Sequence, residues 1–84
     1  MLEVLRQFKL DGKLREVRLM RSWNTVLGKA FEADPATMYI RNRVLFVKMR
    51  SSVARHELMM RRSEVVRALN EATQASVIDD LVIR

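Results

Sequence analysis

The stretch MYIRNRVLFVKMRSS, residues 38–52, decides the fold of this chain. Side chains alternate in character on both sides of Asn42-Arg43, and a period of two is typical of β-strands. A two-residue turn at Asn42-Arg43 would pair Tyr39 with Phe46. Asparagine suits the left-handed conformation of such turns, whereas arginine in the second position indicates either mild strain or a longer loop. The residues expected on the core-facing side of this β-hairpin are Met38, Ile40, Leu45, Val47 and Met49.

Helical periodicity precedes the hairpin. Apolar residues recur at intervals of three and four over residues 14–31, which predicts an amphipathic helix with Trp23 as a core anchor. Gly12 follows an aspartate and predicts a break between this helix and a short N-terminal helix of about residues 1–10. Pro35 predicts the end of the long helix, because proline disfavours a helical conformation in the residue before it.

A second long helix and a third strand are predicted after the hairpin. The pair Ser51-Ser52 is expected to supply the N-cap of a helix over about residues 53–73. The tail, residues 76–84, is rich in Val, Ile and Leu and predicts a strand with Leu81 and Ile83 towards the core. The order of elements, α-α-β-β-α-β, predicts a single α+β domain over residues 1–84, with its helices packed on one face of a three-stranded sheet.

Positive charge is concentrated in residues 41–62, which hold seven basic residues and one acidic residue. The rest of the chain balances at nine basic and nine acidic residues, so this block carries the whole net charge of +6. A compact basic field of this kind indicates an anionic partner. Arginine outnumbers lysine in the block, which favours phosphate because a guanidinium can bind two phosphate oxygens at once.

The composition gives little support for catalysis, metal binding or a membrane-spanning segment. The chain has no cysteine and one histidine, so a thiolate site or a histidine pair cannot form. His56 adjoins Glu57, but neighbouring residues on a helix point about 100° apart. No catalytic residue, metal ligand or cofactor is therefore expected. No apolar run is long enough to cross a membrane, and we expect a cytoplasmic protein.

The aromatic pair Tyr39 and Phe46 falls on the hairpin face opposite the core. Aromatic side chains beside cations are typical of surfaces that bind single-stranded nucleic acid. A cross-strand aromatic pair, buried against a second copy of the chain in a homodimer, is an equally good interpretation. The basic residues could likewise form a merely solvated surface. The candidate nucleic-acid-binding residues are Arg41, Arg43, Lys48, Arg50, Arg55, Arg62, Tyr39 and Phe46.

Several separated motifs resemble a known family of bacterial proteins. They are Trp23-Asn24-Thr25-Val26-Leu27-Gly28, residues 44–52, Arg55-His56-Glu57-Leu58, Leu69-Asn70 and the closing residues 78–84. Their order and spacing from about Leu14 to Arg84 are similar to those of the DciA-like family. The resemblance implies a K-homology-like fold, and we expect the chain to be the bare domain. It also implies that the ligand is DNA rather than RNA, and that the partner is the replicative helicase or another replication protein.

These observations lead to one leading hypothesis and one alternative. The leading hypothesis is a non-enzymatic, weakly sequence-specific nucleic-acid-binding module linked to replication. The two glycines lie sixteen residues apart, so the Gly-x-x-Gly clamp of true K-homology domains is not expected. The alternative is a protein-interaction or homodimerisation module without direct nucleic-acid binding. The residues alone do not choose between DNA and RNA.

Overall fold

A computed structural model describes residues 10–84 of the chain. This part folds as an α+β domain in which helices pack on a three-stranded sheet, as the sequence predicts. The predicted N-terminal helix lies outside the described residues, except for its last residue. The elements are α1 (Leu10–Leu27), two short 3₁₀ turns (Lys29–Phe31 and Pro35–Thr37), β1 (Tyr39–Arg41), β2 (Val44–Val47), α2 (Ser52–Met60), α3 (Arg62–Thr73) and β3 (Asp80–Ile83).

The sheet is mixed, with β2 at its centre. β1 runs antiparallel to β2, and β3 runs parallel to β2 on the other side. Tyr39 pairs with Phe46, so the register predicted for the hairpin is confirmed. Asn42 and Arg43 have φ angles of 52° and 63°, the left-handed conformations that a two-residue hairpin turn requires. The first strand begins at Tyr39, after a 3₁₀ turn over residues 35–37.

The core lies between the helices and one face of the sheet. Trp23 of α1 is fully buried, and its Nε1 donates a hydrogen bond of 2.8 Å to the Phe31 carbonyl oxygen. The other largest fully buried side chains are Leu19, Leu45, Leu58, Leu69, Ile78, Leu81 and Val47. The predicted core residues of the hairpin are buried, apart from Ile40, which is half-buried and packs against the core.

The first long helix has different ends from those predicted. Gly12 lies inside α1, so the predicted break there is wrong. The strong helix formers that follow Gly12, residues 13–16, outweigh its cost of about 1 kcal/mol. The helix ends at Leu27 instead of residue 31, because Gly28 adopts a φ angle of 80° and turns the chain away. Asn24 then holds the following segment by accepting from the Ala33 N–H and donating to the Ala33 carbonyl oxygen, each at 2.9 Å.

The helix predicted over residues 53–73 is divided into two. A cap within Ser51-Ser52 is confirmed, and it is Ser51 whose hydroxyl accepts from the Ala54 N–H at 3.2 Å, while Ser52 is the first residue of α2. Arg61 leaves the helical conformation with φ −108° and ψ 21°, and α3 begins at the next residue. The division lets α2 pack on β3 while α3 packs mainly against α1. No glycine or proline lies near this point, so the sequence carries no sign of the break.

Candidate nucleic-acid interface

The sheet has an outer face, opposite the helices, that the described residues leave open to solvent. The strand pairings arrange this face in two rows across the three strands. One row is aromatic and apolar, and the other contains one basic and one acidic residue. The rows are Tyr39–Phe46–Val82 and Arg41–Val44–Asp80.

The centre of the outer face is a stack of two aromatic rings. The ring centroids of Tyr39 and Phe46 lie 4.7 Å apart, and the ring planes differ by 10°. The Arg84 guanidinium lies over the Phe46 ring, with its Cζ 5.0 Å from the ring centroid. Its Nη2 also donates a hydrogen bond of 2.6 Å to the Tyr39 hydroxyl. We call these three residues the stacking cluster.

Arg84 is a residue of this surface that the sequence interpretation missed. Its N–H donates to the Val47 carbonyl oxygen at 2.9 Å, and its carbonyl oxygen accepts from the Met49 N–H at 2.8 Å. These bonds extend the parallel pairing of β2 and β3 and place Arg84 beside Lys48. The alternation of Leu81 and Ile83 towards the core could have assigned Arg84 to the outer face. The chain order did not show which strand Arg84 would lie beside.

Two shallow depressions adjoin the stacking cluster and meet at Thr37 and Lys48. The first, of about 320 Å³, is lined by the cluster with Thr37, Val47 and Lys48. The second, of about 490 Å³, extends from Lys48 past Arg50 to the start of α2. Its lining also includes Lys29 and two acidic residues, Glu32 and Asp34. The surface is therefore continuous from the aromatic rings to the corner between β2 and α2.

Arg43 is held in an ion pair at the hairpin turn. Its Nε and Nη2 donate to the two carboxylate oxygens of Asp79 at 2.9 and 3.0 Å, and Nη2 also donates to the Ser76 hydroxyl at 3.1 Å. The hydrogen bond from Arg43 lowers the pKa of the Asp79 carboxyl, so the pair stays ionised at neutral pH. This bidentate contact explains an arginine in a turn position that usually favours glycine.

The other predicted arginines, Arg55 and Arg62, do not share one helix. Arg62 begins α3, and its Nε lies 3.1 Å from Oδ1 of Asp80. Arg55 lies in α2 and donates from Nη1 to the Met49 carbonyl oxygen at 3.2 Å. The neighbouring Arg61 lies 3.6 Å from Glu57. Three arginines of the basic block therefore lie beside a carboxylate in the folded chain. Two of these carboxylates, those of Asp79 and Asp80, come from the last residues of the sequence.

Three of the predicted cations have no such partner. Arg41, Lys48 and Arg50 are exposed and make no ion pair with another residue of the described range. Arg41 lies on the outer face, and the other two line the depressions. With Arg84, they form a positive surface around the aromatic rings. An extended anion with flat groups, such as a nucleic-acid strand, matches this combination of charge and stacking surface.

Within residues 10–84, neither a metal site nor a membrane-spanning helix competes with this surface. Among residues 10–84, no three acidic or histidine side chains are grouped to hold a metal ion. His56 and Glu57 are exposed neighbours on α2. None of the helices described is both long and apolar enough to cross a membrane.

Comparison with known families identifies the chain. The family model described as "Dna[CI] antecedent, DciA" matches residues 2–83, nearly the whole sequence. The chain belongs to the DciA family. Membership in the DciA family implies bacterial DNA replication and association with the replicative helicase DnaB, and the family is not known as one of enzymes. A comparison with curated proteins gives no match.

Proposed function

We propose that this member of the DciA family is a non-enzymatic module that binds DNA directly and works with the replicative helicase. The observation that carries the proposal is the outer face, where stacked aromatic rings are surrounded by cations without acidic partners. The helicase association follows from the family, whereas direct binding to DNA rests on this surface. Because the helicase acts on the chromosome, we place the protein in the bacterial cytoplasm.

The binding surface that we propose is smaller than the basic block of the sequence. Arg41, Lys48, Arg50 and Arg84 contact phosphates, while Tyr39 and Phe46 contact bases or sugars. Arg43 and Arg62 are omitted, because their guanidinium groups bind Asp79 and Asp80. Arg55, which donates to a backbone carbonyl, borders the surface without being one of its main contacts.

Weak sequence specificity follows from the chemistry of the outer face. Specific readout needs donors and acceptors placed against base edges. The middle of the outer face instead carries two aromatic rings with Val44 and Val82. Rings and aliphatic side chains do not distinguish the hydrogen-bonding edges of the bases. We therefore expect the phosphate contacts to supply most of the affinity.

The dependence of binding on salt tests this proposal. With about four phosphate contacts, the logarithm of the association constant should fall with the logarithm of salt concentration at a slope of about −3 to −4. At physiological salt the dissociation constant should be micromolar or weaker. Fluorescence anisotropy with labelled single- and double-stranded DNA and RNA, at two salt concentrations, measures both quantities.

A protein-interaction module is the second candidate function. Val53 and Met60 of α2 are each 75% exposed and lie seven residues apart, on the same side of the helix. They are the two most exposed of the large apolar side chains described, and contact with a partner would remove them from water. The absence of binding to every nucleic acid at low salt would contradict our proposal and favour this alternative. Binding with little dependence on salt would contradict the assigned phosphate contacts.

A further inference from the structure

The Tyr39 ring of the stacking cluster is covered on one face and open on the other. Phe46 covers one face of the Tyr39 ring. The other face of Tyr39 points away from the centre of the sheet, because β1 is an edge strand. No described strand lies beyond it, and the residue is 46% exposed. One aromatic face is therefore held in place and left open.

Arg84 positions this open ring. It bonds the Tyr39 hydroxyl at one end of the ring while its guanidinium lies over Phe46. A cation held against an aromatic ring is attracted by the electron density of the ring face. The Arg84 backbone is fixed by hydrogen bonds to Val47 and Met49. The orientation of Tyr39 therefore exists before any ligand arrives, which lowers the entropy cost of stacking a base on it.

The charges around the ring identify the kind of ligand. Lys48 and Arg84 line the depression beside Tyr39, and neither makes an ion pair with a described residue. The depression of about 320 Å³ lies at the lower end of the range for small-ligand sites. A ligand that is flat on one side and anionic on the other matches both features, as a nucleotide within a strand does.

We infer that Tyr39 stacks one unpaired nucleobase of a single strand, with Lys48 and Arg84 contacting the adjoining phosphates. This inference rests on the proposed function and adds its ligand class. A base inside a duplex is already stacked on both faces and cannot reach the ring. The exposed cations outside the cluster contact phosphates of single strands and duplexes alike. The Tyr39 ring thus provides the preference for single strands.

An abasic strand separates the two contributions, because it keeps the phosphates and lacks the bases. The test compares the affinities of the full chain for a strand of about ten thymidines, an abasic strand of the same length and a matched duplex. The wild-type protein should bind the thymidine strand more tightly than the abasic strand. Tyr39→Ala should weaken thymidine binding about 5- to 100-fold and remove this preference, while changing duplex affinity less than about twofold.

Two further variants distinguish a stacking role from a structural one. Tyr39→Phe keeps the ring but loses the hydrogen bond from Arg84, so it should keep more of the preference for bases over abasic sites than Tyr39→Ala does. Arg84→Gln should reduce that preference and make the salt slope less negative by about 0.7. Arg67→Gln, the same change at an exposed position of α3, should leave the preference for bases unchanged. A thermal melt of each variant serves as the control that it is folded.

The outcomes separate this inference from the proposed function. Equal affinity of the wild-type protein for the thymidine and abasic strands would overturn the stacking inference and leave phosphate-driven binding intact. Absence of binding to all three ligands would overturn both. A wild-type dimer that Tyr39→Ala converts to a monomer in sedimentation experiments, with no loss of base preference, would assign the ring to self-association and also overturn the inference.

Discussion

Trp23→Ala is expected to lower the free energy of unfolding by about 3–5 kcal/mol. The indole is fully buried at the centre of the core, so its removal leaves a cavity that α1 and its neighbours cannot easily fill. The change also removes the hydrogen bond that ties the Phe31 carbonyl to α1. Small domains have free energies of unfolding of about 5–15 kcal/mol. A chain of 84 residues is expected near the lower end of this range, where the loss would leave the variant close to unfolding.

Urea denaturation followed by circular dichroism measures this effect. Val53→Ala is a suitable control, because Val53 is 75% exposed and its truncation should change stability by less than about 0.5 kcal/mol. An unchanged midpoint for Trp23→Ala would show that the core assigned to this residue is wrong.

The second large effect is expected on nucleic-acid binding. The triple variant Arg41→Glu, Lys48→Glu and Arg50→Glu should lower affinity for DNA by more than about tenfold, because it removes phosphate contacts and adds repulsion. These three residues are exposed and make no ion pairs in the described part of the chain, so the thermal melt should change little. Anisotropy titrations at low salt measure the loss.

A matched control uses the same change of charge on another surface. The triple variant Arg15→Glu, Arg18→Glu and Arg21→Glu alters three exposed residues of α1, away from the outer face. Because α1 lies on the helical side of the sheet, this variant should lose much less affinity. Equal losses from the two variants would show that binding depends only on total charge.

The hairpin could be predicted because residues close together in the sequence determine its turn and its register. Alternation fixes which side chains face the core, and Asn42 fixes the turn, so the register follows from adjacent residues. The cap at Ser51 is local in the same sense. The break at Arg61 is different, because it depends on the packing of α3 against α1 and on no residue type at that position.

The candidate site was predictable only in part, because it depends on contacts between distant parts of the chain. Arg43 and Asp79 are 36 residues apart, and a sum of charges along the sequence cannot show that they pair. Arg84 reaches the aromatic rings because β3 lies parallel to β2. Asn70 helps to place β3: its side chain bonds the Val77 and Ile78 N–H groups and the Ile78 carbonyl oxygen. The sequence interpretation assigned this asparagine no such contact.

The most direct test of the outer face as the DNA-binding surface is an NMR titration of the labelled protein with a short single-stranded oligonucleotide. We expect the largest shift changes at Tyr39, Arg41, Phe46, Lys48 and Arg84, with the exposed side of α3 unaffected. Changes that are largest on α3 or around Val53 and Met60, with none on the outer face, would contradict the account.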